Sequence, residues 1–151
     1  MDTVDYGKVL DQLIRIEGIC LAPYRDIAGN LIIAPDDYVE RMGVKGTRLA
    51  VLEVDVRAVA KELEEQWPTV SDLDAVRQRV LIHLAFNMGV RGLLAMMRLV
   101  SAIESRFWET AADEMLISQW AKQEPRRAIV LAAMIRTGRD EVLRVIQPTS
   151  A

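Results

Sequence analysis

A mainly helical domain, interrupted by a short irregular segment near its N-terminus, is the fold class this sequence predicts. Three observations predict it. Apolar residues recur at three- and four-residue spacing along most of the chain. Pro23, Gly29, Pro35, Gly43 and Gly46 crowd into one stretch between Leu21 and Gly46. Of the 151 residues, 51% are hydrophobic, enough to bury a core that folds alone.

Val9, Leu10, Leu13, Ile14 and Ile16 have helical spacing, and Gly18 is a stop just beyond Glu17, so the first helix delivers Glu17 at its C-terminal end. From 21 to 46 the pattern becomes a small lobe with little strand, in which Asn30-Leu31-Ile32-Ile33-Ala34 is the one β-like run. Leu49, Leu52, Val56, Val59 and Leu63 then make one face of a long helix that Trp67-Pro68 ends. The hydroxyl and acidic residues of Thr69-Val70-Ser71-Asp72-Leu73-Asp74 read as a helix N-terminus. The stripe that follows, Leu73, Val76, Val80, Leu81, Leu84 and Met88, marks the core's central helix. Gly89 and Gly92 predict a sharp turn, and helical segments are expected at Leu93-Ile103, Phe107-Ile117, Pro125-Arg136 and Asp140-Ile146. The chain is thus expected to be a single domain over 1–151, with a reduced β lobe at about 21–46 and a helical lobe from 1–20 and 47–147. A cleft between the lobes is the natural ligand site.

Nineteen basic and 22 acidic residues give a formal net charge of −3, which disfavours nucleic acid as a partner. One cysteine, Cys20, excludes an internal disulfide, and one histidine, His83, makes a zinc site improbable, so no metal and no cofactor are expected. A Ser-His-Asp or Cys-His mechanism would have to use His83, which within the core helix reads as a packed or partly exposed side chain rather than a catalyst. Charges interrupt every apolar run before the eighteen or so residues that span a bilayer. The polar, acidic first residues lack the features of a signal peptide, so a cytoplasmic start is expected. Met96, Met97, Met115 and Met134 fall at apolar helix positions and read as core filling.

Two carboxylates remain as candidates for acid/base chemistry. Glu17 sits where the negative end of a helix dipole disfavours ionisation and raises a carboxyl's pKa, as a general acid requires. Asp26 opens Asp26-Ile27-Ala28-Gly29, ordinary turn chemistry.

The segments LIRIEG, PYRDIAG, VRQRVLIHLAFNMGVRGL, FWETAADEMLISQWAKQEPRRA and MIRTG follow one another in the order found in phage-type lysozymes, the endolysin family of peptidoglycan muramidases. The chain resembles that family over nearly its whole length. Phe86-Asn87-Met88-Gly89, the run from Trp120 to Arg127 and Arg136-Thr137-Gly138 are together the most specific part of the likeness. The resemblance implies a lysozyme-like α+β fold and cleavage of the β-1,4 bond between N-acetylmuramic acid and N-acetylglucosamine. By position, Glu17 matches the family's proton-donating glutamate and Asp26 its supporting aspartate. Asn87 falls at a polar cleft position, and Arg127 matches an arginine that pairs with the glutamate. Such a pair would lower the pKa of Glu17 against the helix-end effect, and the sequence leaves the net sign open. The implied partner is the peptidoglycan glycan strand, met by a monomer that acts on the cell wall after release from the cytoplasm.

One segment departs from the family pattern. Hydrolytic members continue from the turn into Gly-x-x-Thr-Ile-Gly-x-Gly, whose threonine positions the attacking water. Here Ile32 replaces that threonine, and Ala34 and Asp36 replace the later glycines. Isoleucine keeps the strand's branching but offers no donor or acceptor, so the catalytic hairpin is degenerate. Three outcomes are open: a muramidase in which Asp36 or Asp37 supplies the missing group, a lytic transglycosylase using Glu17 alone, or a non-catalytic binding or structural protein on the same fold.

Overall fold

The computed structural model describes residues 4–17, 24–25, 31–32 and 47–140. In order these form α1 (Tyr6–Glu17), β1 (Tyr24–Arg25), β2 (Leu31–Ile32), α2 (Thr47–Gln66), a 3-10 turn (Pro68–Asp72), α3 (Ala75–Leu94), α4 (Met97–Glu104), α5 (Trp108–Leu116), α6 (Gln119–Gln123) and α7 (Pro125–Thr137). The chain is therefore mostly helical. Strands β1 and β2 pair antiparallel, Tyr24 opposite Ile32 and Arg25 opposite Leu31, so residue 32 does lie in a strand. Gly18, Cys20, Asp26, Ala34, Asp36, Asp37, the helix expected beyond Asp140, and most of the expected 21–46 lobe lie outside the described residues.

Helix α3 is the centre of the core. Every residue from Gln78 to Ala85 is buried, as the nearly unrelieved apolar run predicts. It packs against α2 and α7, while α1 packs against both α2 and α3, and α5 against α4 and α7. Helix α1 contributes Val9, Leu10 and Leu13, and α2 contributes Val56, Ala60 and Leu63, all at helical spacing. Trp67 and Pro68 end α2 as expected: Trp67 is buried, and its Nε1–H donates to Glu104 at 2.9 Å. The expected helix start at 69–74 divides in two. Residues 68–72 close a 3-10 turn, and Asp74 alone caps α3, accepting from the Arg77 N–H at 3.1 Å.

The sharp turn expected at Gly89 is present: with φ +79° and ψ 155° it leaves the helical conformation and divides α3 into two helical runs, the second of which ends at Leu94 and holds Gly92. A further change of direction, 99°, comes between α3 and α4. One methionine expected in the core is outside it: Met115 and Met134 are fully buried, but Met97 is 77% exposed at the first position of α4. Helix α6 is only five residues long, too short to register as a periodic pattern. No single helix among the described residues is long and apolar enough to cross a membrane.

The end of α7 shows why Arg136-Thr137-Gly138 reads as it does. Gly138 caps the helix in the left-handed region at φ +69°, and Arg77 from α3 donates to the terminal carbonyls of Ile135 (2.6 Å) and Arg136 (3.1 Å). The same guanidinium lies 3.9 Å over the Trp108 ring. A Cβ at residue 138 would stand 2.9 Å from Arg77 Nη1. Gly138→Ala is therefore expected to lower stability by about 1–2 kcal/mol from the left-handed backbone alone, read as a lower urea midpoint at unchanged slope. An unchanged midpoint would show that the cap relaxes freely.

Candidate active site

Glu17 is the last residue of α1, and three side chains from two other helices converge on it. On α3, His83 and Asn87 lie four residues apart on one helical face. His83 Nε2 is 2.8 Å and Asn87 Nδ2 2.7 Å from the same carboxylate oxygen, Oε1. From the first turn of α7, Arg127 Nη1 reaches the other oxygen, Oε2, at 2.9 Å. Pro125 opens α7 at a position that needs no N–H donor, and so places Arg127 one residue pair into the helix. The pairing of Glu17 with Arg127 implied by the sequence is thus present.

The donors are themselves held. Asn87 Nδ2 also donates to the His83 carbonyl at 2.9 Å, and its Oδ1 accepts from Arg127 Nη1 at 3.3 Å, which fixes the amide orientation. Arg127 Nη1 also lies 3.4 Å from Glu124. His83 is wholly buried, and its Nδ1 is 3.1 Å from Gln12 Nε2 on α1. The Glu17 side chain is 12% exposed and that of Arg127 25% exposed, so both are largely enclosed in a packed helical junction without being sealed from the surface. Asp26 follows β1 directly in sequence but lies outside the described residues, as does its distance from Glu17. Among the described residues no group of three or more His, Cys, Asp or Glu side chains could hold a metal ion.

Sequence reasoning did not assign Gln12 or His83 to this site. His83 is packed, as its helix position suggests, yet it touches the carboxylate. The readable signal was Gln12, a polar residue in the apolar stripe of α1, three residues after Val9 and four before Ile16.

Burial of Glu17 is the largest influence on its pKa and raises it. The hydrogen bonds from His83 and Asn87, together with the positive Arg127, outweigh burial, and the pKa falls below the ordinary glutamate value. The sign left open by the sequence is therefore negative, and the resting carboxylate is ionised at neutral pH. His83 is also lowered. Its desolvation dominates, the attraction of Glu17 opposes it, and Arg127 adds to the lowering, so the imidazole is neutral.

Both shifts make acid destabilising. Below the ordinary histidine value of 6.5, the unfolded chain takes up a proton that the folded His83 refuses, so stability falls with pH. Glu17 adds to this lower down, because its stabilisation is present above the ordinary glutamate value of 4.5 and is lost as pH falls through the depressed one. Thermal unfolding is expected to show a melting temperature that declines from pH 7 toward pH 5, with a shallower decline for His83→Gln. Parallel curves for the two proteins would contradict a buried neutral imidazole.

No family model matches the chain. It is 34% identical over 93 residues to Probable T4-type lysozyme 1 of Dictyostelium discoideum, covering 59% of this chain and 54% of that protein. It is 23% identical over 162 residues to Probable T4-type lysozyme 2 of the same organism, covering 87% of this chain and 95% of the relative. The chain thus matches little more than half the length of the first relative and nearly all of the second. Both names agree with the family that the ordered motifs resemble.

Proposed function

We propose that this protein cleaves the β-1,4 bond between N-acetylmuramic acid and N-acetylglucosamine in peptidoglycan, with Glu17 as the proton donor. The observation that carries this reading is a largely enclosed carboxylate with three donors converging on it and 12% of its side chain still exposed. The two lysozyme-named relatives support it. A general acid must be protonated, and Glu17 at rest is not. Burial is the strongest influence on the group, so a glycan strand that covers the part still exposed pushes its pKa upward toward the working range. Asn87 and Arg127 hold the carboxyl in place and reach the same surface, where sugar hydroxyls and acetamido groups could bind.

On this reading Asp26 is the supporting carboxylate, and its separation from Glu17 decides between an inverting route through water and a retaining one through a covalent intermediate. The site of action is the cell wall. Ile32 favours a second reading, because it has no hydroxyl to hold water. In a lytic transglycosylase Glu17 would act first as acid and then as base, with the sugar's own hydroxyl as nucleophile.

Digestion of purified peptidoglycan followed by analysis of the released muropeptides separates these readings. Free reducing ends on N-acetylmuramic acid are the expected product. Anhydro sugars would assign the transglycosylase. Intact glycan at high protein concentration would reject cleavage and leave a binding module on the same fold.

A further inference from the structure

Gln12 and His83 form a buried chain of contacts behind Glu17 that reaches from one helix to the next. Gln12 Nε2 lies 3.5 Å from the backbone carbonyl of Arg79 and 3.1 Å from His83 Nδ1, and His83 Nε2 lies 2.8 Å from Glu17 Oε1. Gln12 is 1% exposed and His83 wholly buried, so no water competes for these groups at the surface.

The hydrogen-bonding rules leave little freedom. A carbonyl oxygen only accepts, so the Gln12 amide presents N–H to Arg79 and to the imidazole. Nδ1 of His83 must then be the ring nitrogen with the free lone pair, and the proton sits on Nε2, aimed at Glu17. Reversing the amide would set Gln12 Oε1 against the Arg79 carbonyl. Oε1 already lies buried without a partner, an expense that the present orientation accepts in order to keep the N–H contacts. Among the described residues the charged groups around these contacts are Glu17 itself, Arg127 of α7 with Glu124 beside it, and Arg79 of α3, whose guanidinium pairs with Asp140.

A consequence follows for Glu17. Among the described residues Oε1 receives two donors, from His83 and Asn87, whereas Oε2 receives one, from Arg127. A carboxylate oxygen has two lone pairs, and two N–H donors at 2.8 and 2.7 Å use both on Oε1, so a proton taken up by the carboxyl goes to Oε2. We propose that Gln12 and His83 are positioning residues: Gln12 holds His83 as the neutral Nε2–H tautomer, and His83 with Asn87 fills Oε1, leaving Oε2 as the oxygen that carries the proton to the glycosidic bond. The inference rests on the muramidase reading for the role of that proton, but the tautomer and the occupancy of Oε1 are properties of the resting protein.

The test pairs His83→Gln with His83→Leu in the full chain. A glutamine amide places an N–H close to the position of the imidazole Nε2, whereas leucine fills the space without a donor. Nitrogen NMR of the wild-type imidazole at neutral pH is expected to show protonated Nε2 and unprotonated Nδ1, with a titration midpoint below the ordinary histidine value. Carbon NMR of the Glu17 carboxyl is expected to show a higher titration midpoint in His83→Leu and a nearly unchanged one in His83→Gln. For peptidoglycan cleavage, loss of the donor raises the pKa of the acid, so the alkaline limb of the rate profile moves to higher pH in His83→Leu. The limiting kcat there falls roughly 10- to 100-fold with little change in KM, and His83→Gln restores most of it. A proton on Nδ1 at neutral pH, an imidazole that titrates above the ordinary histidine value, or identical Glu17 titrations in the two variants would overturn the proposal. If the wild-type protein leaves peptidoglycan intact, the muramidase reading falls, while the imidazole and carboxyl titrations still decide for or against the positioning chain.

Discussion

Glu17→Gln is expected to reduce cleavage of purified peptidoglycan by roughly a hundred- to ten-thousand-fold, the range that a general acid contributes. The substitution keeps the size of the side chain but removes the transferable proton. It also alters the cradle, because the new amide can accept on only one of its two atoms. Oriented to keep the His83 and Asn87 bonds on its oxygen, it turns its own N–H groups toward Arg127 Nη1, which loses the 2.9 Å ion pair but retains Asn87 Oδ1 and Glu124. Folding is thus expected to survive, and the loss should appear in kcat rather than in binding of the glycan strand. Turbidity loss and a pull-down with insoluble peptidoglycan measure the two separately. Cleavage by the Gln variant within a few-fold of wild type would remove Glu17 from the chemistry, and with it the proposed function.

The electrostatics explain why such a site resists reading from one residue at a time. A glutamate at a helix end is expected to have a raised pKa, yet here the opposite sign results, because three donors from α3 and α7 meet a carboxylate from α1. Those helices are 66 to 110 positions away in sequence, and periodicity within one helix carries no information about them. Glu17, Asn87 and Arg127 could be named beforehand only because ordered motifs resemble a known family. His83 lies within one of those motifs and reads as packed, which it is; its second role depends on Gln12, and that contact spans 71 positions. Local pattern served best where burial is strongest. The end of α2 and the position of α3 follow from apolar spacing and Trp67-Pro68. It served worst just beyond Gly92: one helical segment is expected over Leu93-Ile103, but α3 ends at Leu94 and the chain turns by 99° before α4 begins at Met97.

Leu13→Ala is expected to lower stability by about 2–5 kcal/mol, the usual result of removing a fully buried leucine without filling its space. Leu13 is 0% exposed on α1, where it joins Val9 and Leu10 in anchoring the helix against α2 and α3. At 12 residues α1 is too short to hold together in water by its own backbone bonds, so this face is what keeps it helical. The loss is a large part of the roughly 5–15 kcal/mol that separates a folded domain from its unfolded chain. For a chain of this size it corresponds to a fall of roughly 4–20 °C in melting temperature, at about 2–4 °C for each kcal/mol. It should also reach the site, because Gln12 and Glu17 ride on the same helix, one residue before and four after Leu13. Hydrogen exchange is expected to report faster opening of α1 amides, and the Glu17 titration should move toward the ordinary glutamate value as its donors are lost for part of the time. A destabilisation below about 1 kcal/mol, with unchanged exchange in α1, would mean that the helix is peripheral to the core and that its carboxylate is held by the α3 and α7 donors alone.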